Sequence, residues 1–315
     1  MPLSWLFNYG FVTMPSTSNR PLVGIVLMII AMLMVPVLDL FAKLLSTDYP
    51  VLQVTWARFV FHGLWLLPIL MWKGTVWWRL PQQPGYQFLR SLMLTVTTLA
   101  FFLAIRDNPI PTSLTLLFVS PLIVAVIAPF WLGESFDWPR GVAVVCGFVG
   151  VVVVLRPSSD AFNPSVLWAL VAGVGYAFYI MFTRRLRATG EPLLTLFYTA
   201  VGGILVLTPL VASVWQTPDL KALVMMASMG LFAAIGHYLI IMACEYATAS
   251  QLSPFNYFEI VAATAISYLV FGFFPDAYVW LGIAIICLSG AYVSWRELKL
   301  SRKVRAAHDG RIDVI

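Results

Sequence analysis

The feature that most restricts this chain is a succession of long apolar runs separated by short polar breaks. A helix rising 1.5 Å per residue needs about 20 mostly apolar residues to cross a hydrocarbon core of about 30 Å. Runs of that order lie at Leu22–Leu45, Val51–Trp72, Phe88–Ile105, Ser113–Leu132, Gly141–Leu155, Pro164–Phe182, Leu193–Trp215, Ala222–Ala243, Leu252–Phe271 and Val279–Trp295. Breaks such as Ser46–Pro50 and Ser135–Arg140 are too short to hold a soluble domain. Charged residues make up only 10% of the 315 residues and hydrophobic ones 61%, against about 25% charged in soluble domains. Lipid must therefore solvate most of the surface, and the fold expected is an all-α integral membrane protein with ten transmembrane helices.

The basic residues test that count, because Lys and Arg accumulate in cytoplasmic loops. With ten spans, one side collects Arg20, Lys73, Arg79, Arg90, Arg140, Arg184, Arg185, Arg187, Arg296, Lys299, Arg302, Lys303, Arg305 and Arg311. The other side holds Lys43, Arg106, Arg156 and Lys221, and Arg58 falls within a span. Fourteen against four, of 19 in all, places both termini in the cytoplasm of a multi-pass protein of the cell (inner) membrane. The net charge of +5 is then a topology signal, and no nucleic-acid partner is expected. Met1–Ser18 has neither early basic residues nor a long apolar stretch, so residues 1–20 read as a cytoplasmic or interfacial lead-in, not a cleaved signal. Cys146, Cys244 and Cys287 sit in apolar runs as small core residues, with no spacing for a metal site or disulfide framework.

Dividing the spans into two sets of five exposes an internal echo. Phe41-Ala42-Lys43-Leu44-Leu45 ends the first span and Phe182-Thr183-Arg184-Arg185-Leu186 the sixth, while Ala104–Gly133 aligns without gaps on Ala243–Gly272. Five is odd, so the second copy would enter from the opposite face, a plan common to secondary transporters that hold substrate between inverted halves. The organisation expected is a lead-in over 1–20, five-helix repeats over 21–155 and 156–297, and a basic cytoplasmic tail over 298–315.

Several pieces of the chain resemble a known family. They are Ser120-Pro121, Leu132-Gly133-Glu134, Gly141, Gly147 and Gly150 in the first half, and Ser253-Pro254-Phe255, Phe271-Gly272-Phe273-Phe274-Pro275-Asp276, Gly282 and Ser289-Gly290 in the second. Over nearly all of Pro21–Trp295 the chain resembles the drug/metabolite transporter superfamily, in particular its EamA-type ten-helix carriers. Asp39, Lys43 and Arg58 resemble a subgroup of that branch which includes proteins proposed to carry S-adenosylmethionine or riboflavin. The resemblance implies two inverted five-helix repeats and alternating access without ATP. The family often carries glutamate after the second glycine, where this chain has Phe273, so a symmetric carboxylate pair with Glu134 is in doubt.

Ionisable groups inside a membrane are costly and mark function or pairing. Asp39 lies seven residues before Ser46 and Arg58 seven after Val51, which gives them similar depth on neighbouring helices and suggests an ion pair. That pair could hold helices together or act on substrate. Lys43, one turn beyond Asp39, could compete for it or snorkel to the interface. Glu259 lies roughly 10 Å into its span if the helix starts at Leu252, or about 18 Å from a start near Ala247. Pro254 breaks the helix before it, and Asn256 and Tyr257 add polar groups. Glu259 could bind a cation, carry a coupling proton, pair with a base, or stay protonated against a neighbouring helix. His237 and His62 are weaker candidates, expected to be satisfied interhelical donors. Trp168, Ala172, Gly175, Tyr176 and Tyr179 recur along one helix face, read as a cavity wall at the tyrosines and packing at the small residues. Thr95, Thr97, Thr98, Ser113, Thr115 and Ser120 add hydroxyls, and Pro36, Pro68, Pro121, Pro129 and Pro209 are expected kinks.

No nucleotide loop, zinc-protease motif or catalytic serine motif appears, and no cofactor is expected. The function expected is secondary transport of a small zwitterionic or cationic metabolite, such as an amino acid or S-adenosylmethionine. A membrane enzyme or a channel is the alternative. The partners would be that metabolite, membrane lipid, and a proton or counter-substrate.

Overall fold

The structure, a computed structural model, describes residues 21–75, 81–132, 138–156, 163–186, 191–247 and 252–312. The lead-in with Arg20, and Arg79, Gly133, Glu134 and Arg187, lie outside the described residues. Among the described residues the regular elements are helices. They are α1 (Pro21–Asp48), α2 (Val51–Trp72), α3 (Pro84–Asp107), α4 (Ile110–Leu117), α5 (Ser120–Leu132), α6 (Trp138–Leu155), α7 (Leu167–Leu186), α8 (Pro192–Val211), α9 (Leu220–Tyr246), α10 (Phe258–Phe271) and α11 (Ala277–Ile312). Short 3₁₀ turns at Pro164–Val166 and Ser253–Tyr257 lead into α7 and α10.

Seven helical stretches are long and apolar enough to cross a membrane, α4 and most of α5 forming one of them over Ile110–Ile127. Three shorter apolar helices, Gly141–Leu155, Phe255–Phe271 and Ala277–Val293, account for the remaining expected spans. Large apolar side chains cover the outside: Val142, Val145, Val149 and Val152 on α6, Leu269 and Val270 on α10, and Leu288 on α11 are all exposed. Polar side chains are turned inward, with Gln53, Thr55, Arg58, His62 and Arg90 all buried. A surface this apolar around a polar interior is the inverse of a soluble protein and belongs in a bilayer. The chain is a multi-pass integral membrane protein.

The helix contacts repeat between the two sets of five. α1 packs on α9 as α7 packs on α3; α2 meets α9 as α8 meets α3; α1 meets α10 as α7 meets α4 and α5. Three pairings, α2 with α8, α4 with α10 and α6 with α11, join equivalent helices directly. At the α6–α11 crossing a Cβ on Gly282 would overlap Val154 and lie 3.1 Å from the Gly150 carbonyl oxygen, so the backbones can approach only because that residue is glycine. Gly272 closes α10 at φ +67, where its N–H reaches the Tyr268 carbonyl and the Phe273 N–H reaches Ser267, a left-handed helix stop.

Two features differ from expectation. The last helix does not end near Trp295 but continues through the basic stretch to Ile312. Its 36 residues measure about 54 Å, well beyond a bilayer core. Cys146 and Cys244 are exposed on the apolar exterior and not in the core, because an apolar run in lipid has an outer face as well as an inner one.

Outside the spans, Arg156 and Asp276 form a salt bridge at 2.5 Å, tying the end of α6 to the start of α11. Asp276 also accepts from the Tyr278 and Val279 amides at 3.0 Å, capping α11. Burial alone would raise its carboxyl, but the Val279 amide, Arg156 and the Tyr278 amide together hold it below its ordinary value of 3.8. A lowered carboxyl stabilises the fold fully above its unfolded value and loses that contribution as pH falls through the folded one. Asp276→Ala should therefore cost about 1 kcal/mol, the size of a cap, uniformly between about pH 5 and 8. The difference from the native chain should shrink only below about pH 4. Thermal unfolding in detergent across that range measures it.

Candidate functional site

The fourth and ninth spans both depart from regular α-helix at matching positions. Between α4 and α5 the helix loosens at Phe118 and Val119, where the Val119 amide reaches back only to Leu116 and the helix restarts from Val119 to Leu122. Pro121, lacking an N–H, cannot continue the regular ladder. In the second half the 3₁₀ turn Ser253–Tyr257, with proline in its first turn, gives way to α10 at Phe258. The ungapped repeat pairs Phe118 with Tyr257, and these two rings meet, their centroids 5.6 Å apart. The same register pairs Ser120 with Glu259, so the carboxyl group is present in one half only.

Glu259 stands in the first turn of α10. It is half-buried. It makes no hydrogen bond or ion pair with any described residue, and Asp39 and Tyr176 are within its electrostatic reach. Asp39, 3% exposed on α1, likewise has no hydrogen-bonding partner among the described residues and interacts at longer range with Arg58. The direct Asp39–Arg58 salt bridge expected from their depth is not formed. Arg58 Nη1 instead donates to Thr98 Oγ1 at 3.1 Å, and its guanidinium lies over the Phe59 ring at 4.8 Å. Similar depth on adjacent helices does not fix the direction of a side chain, and a threonine on α3 and an aromatic face hold this one.

Arg90, by its place near the end of a run one of the cytoplasmic-end charges, is a buried residue. In α3 it is 4% exposed and fully engaged. Nε donates to Thr183 Oγ1 at 2.7 Å and Nη2 to the Tyr179 hydroxyl at 2.8 Å. Nη1 donates to the Thr195 carbonyl at 3.0 Å and to Thr199 Oγ1. Its guanidinium also lies over the Tyr179 ring at 4.7 Å. The signal in the sequence is Thr195 and Thr199, one turn apart on one face of α8 with Thr183 and Tyr179 one turn apart on α7.

Arg90 thereby fixes Tyr179, which stacks on Tyr176 with centroids 5.6 Å apart. Tyr176 reaches Glu259 electrostatically and Tyr179 reaches Arg58. The other members of that helix face separate as follows. Ala172 is buried, and a Cβ on Gly175 would lie 2.7 Å from Thr97 Oγ1, so both are packing positions. Trp168 is 46% exposed and faces outward instead of lining an internal wall.

Lys43 forms no ion pair with Asp39. It donates to the Ile105 and Asn108 carbonyls, the latter at 2.8 Å, and so caps the unsatisfied end of α3. His62 and His237 stack at 5.5 Å between α2 and α9. The expectation of satisfied histidine donors fails for His62, whose two ring nitrogens are buried with no hydrogen-bond partner. Asn256 and Tyr257 are half-buried on the turn before Glu259. Thr95, Thr97 and Thr115 bond to carbonyls of their own helices. The side chain of Pro129 lies outside the described residues. No group of three or more metal-ligating side chains gathers among the described residues.

Comparison with known proteins adds to this geometry. The profile of the EamA-like transporter family matches the chain twice, over 22–156 and 163–295. An S-adenosylmethionine uptake transporter of Rickettsia bellii is 28% identical, the match covering 84% of this chain and 91% of the relative. A riboflavin transporter of Vibrio cholerae is 29% identical over 92% of this chain and 99% of its own length. A solved crystal structure of a protein shares the fold with a TM-score of 0.62 at 17% identity, covering 88% of this chain and 98% of that one.

The contrast between the two buried arginines is testable. Arg90→Gln removes four hydrogen bonds and should lower stability by about 3 kcal/mol, whereas Arg58→Gln, with one bond to lose, should cost about 1 kcal/mol. Thermal unfolding of the purified variants in one detergent gives both values.

Proposed function

The chain belongs to the EamA-like transporter family, and we propose that it is a secondary carrier for a small, positively charged or zwitterionic metabolite of the amino-acid or S-adenosylmethionine type. Glu259 is the observation that carries this function: an unpaired, half-buried carboxyl beside the break in one of two matched helices. Such a group persists inside a membrane when a cation, a proton or water can reach it. Asp39, Asn256, Tyr257, Tyr176 and Tyr179 furnish the rest of the pocket, with charge, hydroxyls and ring surface for a metabolite that has an apolar or cyclic portion. The uptake of S-adenosylmethionine by the Rickettsia relative is consistent with that chemistry.

Transport proceeds by alternating access. The halves 21–155 and 156–297 rock about the site, and the breaks before Pro121 and Glu259 supply hinges at matching depth. Both termini face the cytoplasm of the inner membrane, following the asymmetry of the basic residues. Glu259 exchanges a proton or the substrate's cationic group as the site turns from one face to the other, so that a proton or a counter-substrate drives accumulation.

Purified protein in proteoliposomes, given radiolabelled metabolites and an imposed pH gradient, tests this. Saturable uptake is expected, and Glu259→Gln should lower kcat/KM for a cationic substrate by about 100-fold, as loss of a charge-assisted contact implies. Normal transport by that variant at every pH would contradict the role of Glu259. Non-saturating flux would indicate a channel, and chemically altered label an enzyme.

A further inference from the structure

Arg58 is as buried as Arg90, at 5% against 4% exposed, but it is used very differently. A guanidinium carries five N–H donors in a fixed plane, and the edge made by Nε and Nη2 matches a carboxylate with two parallel bonds. Arg90 engages all three of its nitrogens. Arg58 engages only Nη1, through Thr98. Its Nε is buried without a partner, and Nη2 donates to no described residue. A buried donor left open costs about 1–3 kcal/mol, so an empty fork of this kind is a standing cost to the fold. Thr98 and the Phe59 ring fix the plane of the group while leaving that edge bare.

Asp39 is within electrostatic reach of both Arg58 and Glu259, Tyr179 and the two histidines His62 and His237 within that of Arg58, and Tyr176 within that of Glu259. The Tyr176 and Tyr179 rings stack on one another beside these groups. Neither carboxyl forms a salt bridge with Arg58. A buried guanidinium short of hydrogen-bond partners, with two unbonded carboxyls in its neighbourhood, is complementary to a molecule carrying both a carboxylate and a cation.

We infer that Arg58 is the specificity-determining residue of the carrier, binding the substrate's carboxylate through its Nε–Nη2 edge while Asp39 and Glu259 face the ammonium or sulfonium group. The assignment rests on the carrier function proposed above. It selects α-amino acids and their derivatives, S-adenosylmethionine among them, and it excludes riboflavin, which has no carboxylate.

The test measures binding and uptake of radiolabelled S-adenosylmethionine by the full chain in proteoliposomes, with decarboxylated S-adenosylmethionine and riboflavin as competitors. In the native chain, loss of the carboxylate should weaken competition by about 10- to 100-fold, the range of a bidentate charge-assisted contact. In Arg58→Gln that ratio should fall to within about twofold of unity, and Arg58→Lys, which keeps the charge without the fork, should lie between. Thr98→Val, which frees the guanidinium plane, should lower the ratio without abolishing it. Equal competition by both S-adenosyl ligands in the native chain overturns the inference, and that measurement suffices even where a variant fails to fold. A ratio unchanged in Arg58→Gln, with both ligands weakened alike, assigns the residue to structure and also overturns it. Saturable riboflavin uptake indifferent to Arg58→Gln overturns it while leaving the carrier function standing. Absence of binding and of saturable flux for every ligand removes the carrier function and this assignment together.

Discussion

A bilayer core cannot solvate a charge, so each ionised side chain between these helices must be met by protein, by water or by something that passes through. The bundle answers in three ways. Arg90 is surrounded by hydroxyls, a carbonyl and an aromatic face, which disperse its charge over α7 and α8. Lys43 spends its charge on the end of α3. Asp39, Glu259 and one edge of Arg58 are left without direct partners among the described residues. The first two are structural solutions of the kind found in any folded protein. The third is the set of groups on which the proposed transport function rests.

The position of that set follows from the way the halves meet. Equivalent helices join at the α4–α10 contact, where Phe118 and Tyr257 touch at the two breaks. A helix interrupted in the middle of a membrane exposes backbone groups that need protein or water, so such breaks occur where an internal space already exists. Two breaks from opposite halves thus meet at one contact. The halves are not chemically equal there: Ser120 opens α5 where Glu259 opens its counterpart, α10. Repetition supplies the frame, and the departure from repetition supplies the single acid.

The fold was legible in the chain because run length and charge asymmetry report directly on the bilayer, and ten expected spans meet ten apolar helical stretches. Ends and breaks were harder to read. α11 continues through the basic tail because nothing in Ala277–Ile312 stops a helix when hydropathy alone falls. At the candidate site, the sequence identified Glu259 by its proline neighbour and its depth, and Asp39 and Arg58 by their charge. It could not give side-chain direction. Arg58 turns to Thr98 and Phe59 in place of Asp39, Lys43 turns to the α3 carbonyls, and Trp168 turns to lipid. Arg90 was hidden for the opposite reason: near the end of a run, a basic residue resembles a topology signal, and only the threonines of two other helices reveal that it is buried.

Access to the turn before Glu259 bears most directly on the whole account. A single cysteine in place of Asn256, in a chain whose Cys146, Cys244 and Cys287 are replaced by serine, can be challenged with a membrane-impermeant maleimide from either face of oriented vesicles. Reaction from both faces, each slowed when S-adenosylmethionine is present, is the expected result for a site that turns between the two sides. Reaction from one face only under every condition, or from neither, would contradict it.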